Sequence, residues 1–329
     1  MSLIVSAPRS AIRLTVASRT ESRVVFFGTP LFAVPALRRL VDDGWPIAAV
    51  VTAPDRPVGR RMRMTPSPVK SAALELGLPV WTPSTLKDDE VFVRFSELQL
   101  TVGIVVAYGK LIGQRYLDAA PRGFLNIHPS LLPAYRGPSP IQSAILDGCA
   151  NTGVSLMQLD AEMDHGPVVA QETWEIPRGF DAVMCEDELS RLGADLLARS
   201  LSEYLDGSLL PVPQNDALAT ITKKFERPDG RIAWTDTATS VTNRIRALAA
   251  NPGTWTTWNG RALNIHHAHA IDVSSSEAPG TVTLRGTEVC VVCGEGMVAL
   301  ETIQLEGSTR QQARDFVNGR PAFIGAVLS

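Results

Sequence analysis

The run Arg23-Val-Val-Phe-Phe-Gly28 most constrains how this chain folds. An unbroken apolar segment of strand length that stops at a glycine reads as a strand buried on both faces. Such strands belong to parallel sheets packed between helices. The next residues repeat the theme. Thr29-Pro30 offers a cap and a first-position proline for a helix whose apolar stripe is Leu31, Val34, Leu37, Leu40 and Val41. A second strand is expected at 46–52, a helix started by Ser67-Pro68 and running to 76, a helix at 88–98, and a buried strand at 101–107. Strands follow at 124–128, 153–159 and 168–173, then a long helix at 186–205. This alternation predicts an α/β fold with a mostly parallel sheet covered on both faces.

The texture changes after Gly207-Ser-Leu-Leu-Pro-Val-Pro-Gln-Asn-Asp216, which carries turn and linker chemistry. Short strands are expected at 254–258, 261–269, 280–284, 288–292 and 297–305, with a last helix capped by Ser308 and running to 318. A β-barrel is the expected form of this part, because closure removes exposed sheet edges. The chain of 329 residues therefore divides into an extension (1–22), a first domain (23–209), a linker (210–227) and a second domain (228–329). Residues 1–23 hold four arginines and one acid, Glu21. That composition is transit-peptide-like but lacks the apolar stretch of a secretory signal, so a disordered extension is expected.

Charge excludes one class of function. With 31 basic and 34 acidic residues the net charge is −3, so the chain is no general polycation, although a local basic patch is allowed. No apolar stretch approaches the roughly 18 residues of a membrane span. Four cysteines are too few for a disulfide framework of this size and fit a reducing compartment.

Three segments could carry chemistry. In Asn126-Ile-His128-Pro-Ser-Leu-Leu-Pro133, alternation puts Phe124, Asn126 and His128 on one strand face, and Pro129 ends the strand. An amide and an imidazole then project from the carboxyl end of a parallel strand, where open α/β sheets bind ligands. Taken alone, the pair reads better as satisfied polar groups closing a strand. The second segment is Asp160-Ala-Glu-Met-Asp164-His-Gly-Pro167, an acidic loop between strands. Ordinary turn chemistry accounts for Asp160 but less well for Asp164. The third, Arg56 to Lys70, holds five cations and no acid, and follows the second strand at the same sheet edge. A solvated surface is the plain reading of such a run; an anionic partner is the functional one. Cys290-Val-Val-Cys293 has metal-like spacing without a second pair and reads as strand filling. His266, His267 and His269 lack a carboxylate partner in sequence, and the turn at Gly28 lacks the dinucleotide-binding spacing.

Together these segments resemble the 10-formyltetrahydrofolate-dependent formyltransferases, and within them the branch acting on methionyl-tRNA. The matching stretches are F-F-G-T-P-L-F-A from Phe26, P-D-R-P-V-G-R (54–60), P-S-P-V-K (66–70), V-V-A-Y-G-K-L-I (105–112), N-I-H-P-S-L-L-P-A-Y-R-G-P-S-P-I-Q (126–142) and T-G-V-S-L-M-Q-L-D-A-E-M-D-H-G (152–166). The resemblance runs from about Arg23 to the C-terminus. It implies a Rossmann-like catalytic domain, an OB-like second domain, catalytic roles for Asn126, His128 and Asp164, and a folate site lined by Ser130, Leu131, Leu132 and Pro133. It further implies 10-formyltetrahydrofolate as co-substrate, initiator methionyl-tRNA as acceptor, no metal, and a monomer in the bacterial cytoplasm rather than a mitochondrion. Arg56, Arg60, Arg61 and Arg63 are the expected grip on the acceptor stem, with Lys223 and Lys224 touching RNA backbone. Two positions depart from the family's usual residues: Pro129 stands where glycine is common and His165 where threonine is frequent.

The implied chemistry is attack of the methionyl α-amine on the formyl carbon. A free α-amine has a pKa of about 7.7–8.0, lowered further by the ester, so much of it is nucleophilic near neutrality. Asn126 and a protonated His128 are expected to donate to the tetrahedral oxyanion, with Asp164 holding the imidazole and relaying the amine's proton. Two other readings compete: formylation of an amino sugar nucleotide or of a glycinamide ribonucleotide, and a nucleotide- or RNA-binding module without catalysis. The arginine-rich loop favours tRNA over the sugar, the second domain disfavours the ribonucleotide, and the full Asn–His–Asp set disfavours a non-catalytic module.

Overall fold

The computed structural model describes residues 21–59 and 62–329. The expectation of a disordered extension therefore falls, over residues 1–20, outside the described residues, as do Arg60 and Arg61. Ser22 is already buried.

The first layer of structure is a seven-stranded sheet. Its strands are β1 (Val24–Gly28), β2 (Ile47–Val51), β5 (Val80–Trp81), β6 (Val102–Val106), β7 (Phe124–His128), β8 (Asn151–Gln158) and β9 (Val168–Glu175). A separate hairpin, β3 (Arg56–Val58) and β4 (Arg63–Thr65), stands between β2 and β5 in sequence. The order across the sheet is β5-β2-β1-β6-β7-β8-β9. The first five strands run parallel; β8 and β9 return antiparallel. β1 and β6 sit in the middle and are buried along their whole length, as their unbroken apolar runs require.

Helices cover both faces. They are α1 (Val34–Asp42), α2 (Pro68–Glu75), α3 (Asp89–Ser96), α4 (Gln114–Leu117), α5 (Pro140–Leu146) and α6 (Ala182–Asp206). On one face Phe26, Ile104, Leu125 and Ile127 pack against Leu37 of α1, Ile145 of α5 and Leu197 of α6. On the other, Phe27, Val105 and Phe124 pack against Phe95 of α3 and Tyr116 of α4. Ser67 accepts a hydrogen bond from the Lys70 amide and caps α2 as expected. Thr29 does not cap α1. Its hydroxyl donates to the Tyr108 carbonyl, and a 3-10 turn (Leu31–Ala33) precedes the helix.

The second sheet comprises β10 (Thr254–Trp258), β11 (Arg261–Ile271), β12 (Val282–Arg285), β13 (Glu288–Val292) and β14 (Met297–Leu305), with β15 (Gln311–Gln312) paired to β14. All its ladders are antiparallel, in the order β10-β11-β14-β13-β12. The two edges, β10 and β12, are joined by residues 325–329. The Val282 amide donates to Ala326 (2.9 Å), Leu328 to Gly280 (2.9 Å), and Thr257 to Ser329 (2.7 Å). The sheet thus closes on itself as a barrel, as edge avoidance predicts. Helix α7 (Ala238–Ala247) and helix α8 (Ala313–Asn318) flank it. The last helix is shorter than expected: Ser308 belongs to a turn, and 311–312 extend the sheet before α8 begins.

The connecting segment after α6 is docked along its length. Val168 and Val212 exchange backbone hydrogen bonds of 2.8 Å, the Arg136 amide donates to Thr220 (2.8 Å), and Thr222 donates back to Arg136 (2.7 Å). A turn-rich composition gave no sign of this, because the partners lie far away in sequence.

Candidate active site

β7 ends where Pro129 removes the next ladder donor, so its last residues face the open carboxyl edge of the parallel sheet. Leu125 and Ile127 turn into the core beneath α6, and Asn126 and His128 point to the opposite face with Phe124. The Asn126 side chain is half-buried and makes no hydrogen bond to a described residue. His128 is buried, and its two ring nitrogens face different groups. Nε2 lies 3.0 Å from the Tyr135 carbonyl, and Nδ1 lies 3.7 Å from Asp164 Oδ2. A carbonyl oxygen only accepts, so Nε2 carries a proton and donates to it. Nδ1 is then the nitrogen open to chemistry, next to a carboxylate.

Asp164 reaches this place through an unusual loop. It has a left-handed backbone (φ +52°), which a non-glycine residue adopts only when its surroundings hold it. Oδ2 accepts from the Gly137 amide at 2.8 Å. Gly137 itself has φ +105°, and a Cβ there would stand 2.8 Å from the Thr222 hydroxyl. Two residues after Asp164, a Cβ on Gly166 would stand 2.0 Å from the Gln158 carbonyl, so no larger residue fits. The Asp-x-Gly spacing is therefore a packing requirement of the loop that presents the acid. The turn reading of Asp160 also holds, since its Oδ1 accepts from the Glu162 amide.

Further groups tie the loop down. Gln214 Nε2 donates to the carbonyls of Asp164 (2.9 Å) and Gly166 (2.8 Å), while its Oε1 accepts from Nε and Nη2 of buried Arg136. Arg136 Nη2 also meets Asp216 Oδ1 at 2.7 Å, which holds that carboxyl below its usual range. His165 Nδ1 lies 2.7 Å from Asp160 Oδ2 and its Nε2 3.4 Å from Asp216 Oδ2; the Asp160 hydrogen bond raises the imidazole above its ordinary value.

The four residues 130–133 form a tight turn after β7. The Ser130 hydroxyl donates to the Ala134 carbonyl, the Leu132 amide donates to Ser155 Oγ, and Gln171 Nε2 donates to the Leu132 carbonyl. The polar groups of Ser130 and Leu132 are thus spent internally, leaving Leu131 and Pro133 partly exposed. A cavity of about 570 Å³ lies at the start of the same strand face, lined by Leu117, Arg122, Phe124, Gln158, Leu159 and Tyr204. Another of about 590 Å³ lies between Thr85–Lys87 and Lys110–Tyr116. Neither is lined by Asn126, His128 or Asp164.

Arg56 and Arg63 sit on the β3–β4 hairpin, exposed, and their side chains make no hydrogen bond or ion pair among the described residues. Met62 and Met64 beside them are also exposed. The hairpin base is fixed by the buried Thr52–Ser67 hydroxyl pair (2.7 Å) and by Lys70 with Asp55 (2.6 Å). Lys70 is therefore neutralised. β2 and β7 are three strand spacings apart, roughly 14 Å. Lys223 is engaged by Asp229 (2.5 Å) and Phe225, while Lys224 is exposed and unpaired among the described residues.

Of the weaker signals, Cys290 and Cys293 are buried free thiols of the barrel, the latter pushed up to about 12 by burial. His269 does have carboxylate partners, Glu301 of the adjacent β14 (2.7 Å) and Glu288 of β13 beyond it (3.3 Å), brought by the sheet rather than by sequence. Among the described residues no group of three or more His, Cys, Asp or Glu side chains is placed to hold a metal ion, and no helix is long and apolar enough to cross a membrane.

Comparison with known proteins agrees with this fold. Residues 22–201 match the formyl transferase family model, and residues 224–321 match that of the formyl transferase C-terminal domain. The methionyl-tRNA formyltransferase of Chloroflexus aurantiacus is 44% identical over 88% of this chain and 93% of its own length. That of Solibacter usitatus is 40% identical over 91% and 96%. In fold, the chain is similar to an N-formyltransferase from Helicobacter canadensis solved with folinic acid and dTDP-3-aminofucose (TM-score 0.67, 15% identity, 88% of this chain and all of that one). It is also similar to HypX from Aquifex aeolicus in complex with tetrahydrofolic acid (TM-score 0.63, 18% identity, 93% of this chain and 48% of that one). The chain belongs to the methionyl-tRNA formyltransferase family.

Proposed function

We propose that this protein transfers the formyl group of 10-formyltetrahydrofolate to the α-amine of initiator methionyl-tRNA, through Asn126, His128 and Asp164. One observation carries the assignment of roles. A free amide and an imidazole with one nitrogen already anchored stand together at a strand end, and a carboxylate faces the other nitrogen. The amine nitrogen bonds to the formyl carbon, and the carbonyl oxygen becomes an oxyanion. The Asn126 amide and a proton on His128 Nδ1 donate to it, with Asp164 supplying the compensating negative charge. Asp164 accepts the amine's proton, directly or through water, and passes it to the folate N10 as the carbon–N10 bond breaks. Oxyanion donors that are already aimed need no reorganisation during reaction, which is where their effect comes from.

The folate is held along the 130–133 turn, Ser130, Leu131, Leu132 and Pro133, which follows β7 at the edge where the Asn126 amide stands. The arginines of the segment after β2, Arg56, Arg60, Arg61 and Arg63, with Lys224, take the RNA backbone; Lys223 contributes less because Asp229 engages it. Residues 23–209 form the catalytic part, 210–227 the connection and 228–329 the barrel that adds RNA surface, in a cytoplasmic monomer. The exposed cations of the hairpin favour this reading over an amino sugar acceptor. The test is formyl transfer from 10-formyltetrahydrofolate to purified methionyl initiator tRNA, with a sugar amine as the parallel acceptor. Transfer to the sugar alone, or to neither, overturns it.

A further inference from the structure

Gln214 is not part of the Asn–His–Asp set, and nothing in its neighbourhood in sequence marks it. Its side chain nevertheless uses every hydrogen-bonding position it has on the catalytic loop. The two N–H groups of Nε2 go to the carbonyls on either side of His165, those of Asp164 and Gly166. The oxygen takes two N–H groups of one guanidinium, that of Arg136. Arg136 in turn belongs to the loop whose Tyr135 carbonyl anchors His128 and whose Gly137 amide anchors Asp164. One amide therefore fastens the peptide that carries the acid to the loop that holds both its partners. Only a primary amide fits: a carboxylate of the same size keeps the arginine but sets one oxygen against two carbonyls. Asp164 needs such a clamp, because its left-handed backbone relaxes without external support.

We infer that Gln214 is a positioning residue for Asp164, so that the segment between the two sheets sets the alignment of the catalytic acid. This rests on the function proposed above. The experiment compares Gln214→Glu and Gln214→Met with the unaltered protein in steady-state formyl transfer, in equilibrium binding of methionyl-tRNA and of folate, and in amide hydrogen exchange. Both variants should lose kcat by roughly 10- to 100-fold, the penalty for displacing a reacting group by about 1 Å. Both affinities should stay within about twofold, and exchange should quicken across residues 160–167. The glutamate variant keeps the hydrogen bonds from Arg136 and the side chain's size, so it separates loss of the two N–H donors from loss of folding. An unchanged kcat, or a loss confined to tRNA affinity, overturns the inference and leaves Gln214 as a tether only. Failure of the unaltered protein to formylate methionyl-tRNA sinks the proposed function instead, so the two failures are distinct.

Discussion

At the scale of single residues, the site depends on how few hydrogen bonds its working atoms make. Asn126 offers its amide to no described neighbour, and His128 keeps Nδ1 free by committing Nε2. Asn126→Ala removes a preorganised donor and should lower kcat by roughly 10²–10³-fold, with the Tm nearly unchanged because the side chain supports nothing else. Asp164→Ala should cost at least as much, since it also strips the charge facing His128. Rapid-quench formyl transfer together with thermal melts checks both, and near-normal turnover in a folded Asn126→Ala protein is the result that contradicts the role. Asn126 and His128 were legible because period-two alternation ending at a proline fixes both face and edge. Asp164 was half legible, as an acid in a glycine-bearing loop that turn chemistry alone did not fully explain. Arg136 and Gln214 were not. They meet across 78 residues, and no local pattern encodes a pairing of that span.

Among the elements, the basic segment proves to be structured. Pairing of Arg56 with Thr65 and Val58 with Arg63 makes a hairpin in place of an irregular loop. Replacing Arg56, Arg60, Arg61 and Arg63 by alanine should weaken methionyl-tRNA binding while leaving folate binding unchanged. The log–log salt slope should also flatten by about 0.7–0.9 for each phosphate that is no longer neutralised. Filter binding across a salt series decides it; parallel lines of equal intercept show that the hairpin holds no RNA. The Asp160–His165–Asp216 cluster links the acid loop to the connecting segment and brings a pH dependence. His165 is raised chiefly by its hydrogen bond to Asp160, so its contribution is complete below about pH 6.5 and fades as pH rises through the raised value. Asp216 is lowered chiefly by Arg136, so its share persists above about pH 4 and is lost as pH falls through the lowered value. Glu162 adds a further negative charge facing the imidazole. His165→Gln should therefore lower the Tm most between about pH 4 and 6.5, with the difference shrinking towards pH 8. A Tm difference that grows with pH contradicts the assignment. The helix start at residue 67 was readable from its cap, whereas Thr29 was misread because a distant carbonyl, that of Tyr108, competes for its hydroxyl.

Over the whole molecule, two apolar interiors settle the architecture. One lies around the α/β sheet and one inside the barrel, where Trp258, Phe316 and Phe323 pair edge to face with centroids 5.0–5.5 Å apart. Buried-strand runs and short alternating strands announced both. The sequence could not announce how the barrel shuts, since its two edge strands are never neighbours in the chain and are bridged by a segment with no strand signature of its own.

The docked segment after α6 has a consequence for how such proteins can be recombined. By its hydrogen bonds the stretch from Val212 to Thr222 belongs to the catalytic half, although it lies between the two sheets in sequence. A graft that keeps this chain through residue 222 and borrows a relative's barrel should retain formyl transfer to methionyl-tRNA, because the loops carrying His128 and Asp164 keep their native supports. A crossover at residue 206 imports a foreign stretch onto those loops, and transfer should fall by at least tenfold even where both halves fold, in line with the sensitivity of rate to misplacement of about 1 Å. Assaying the two grafts side by side tests this, with equal activities as the contrary result. The natural seam of the molecule lies inside the barrel half's approach, some distance beyond the point where the helix ends.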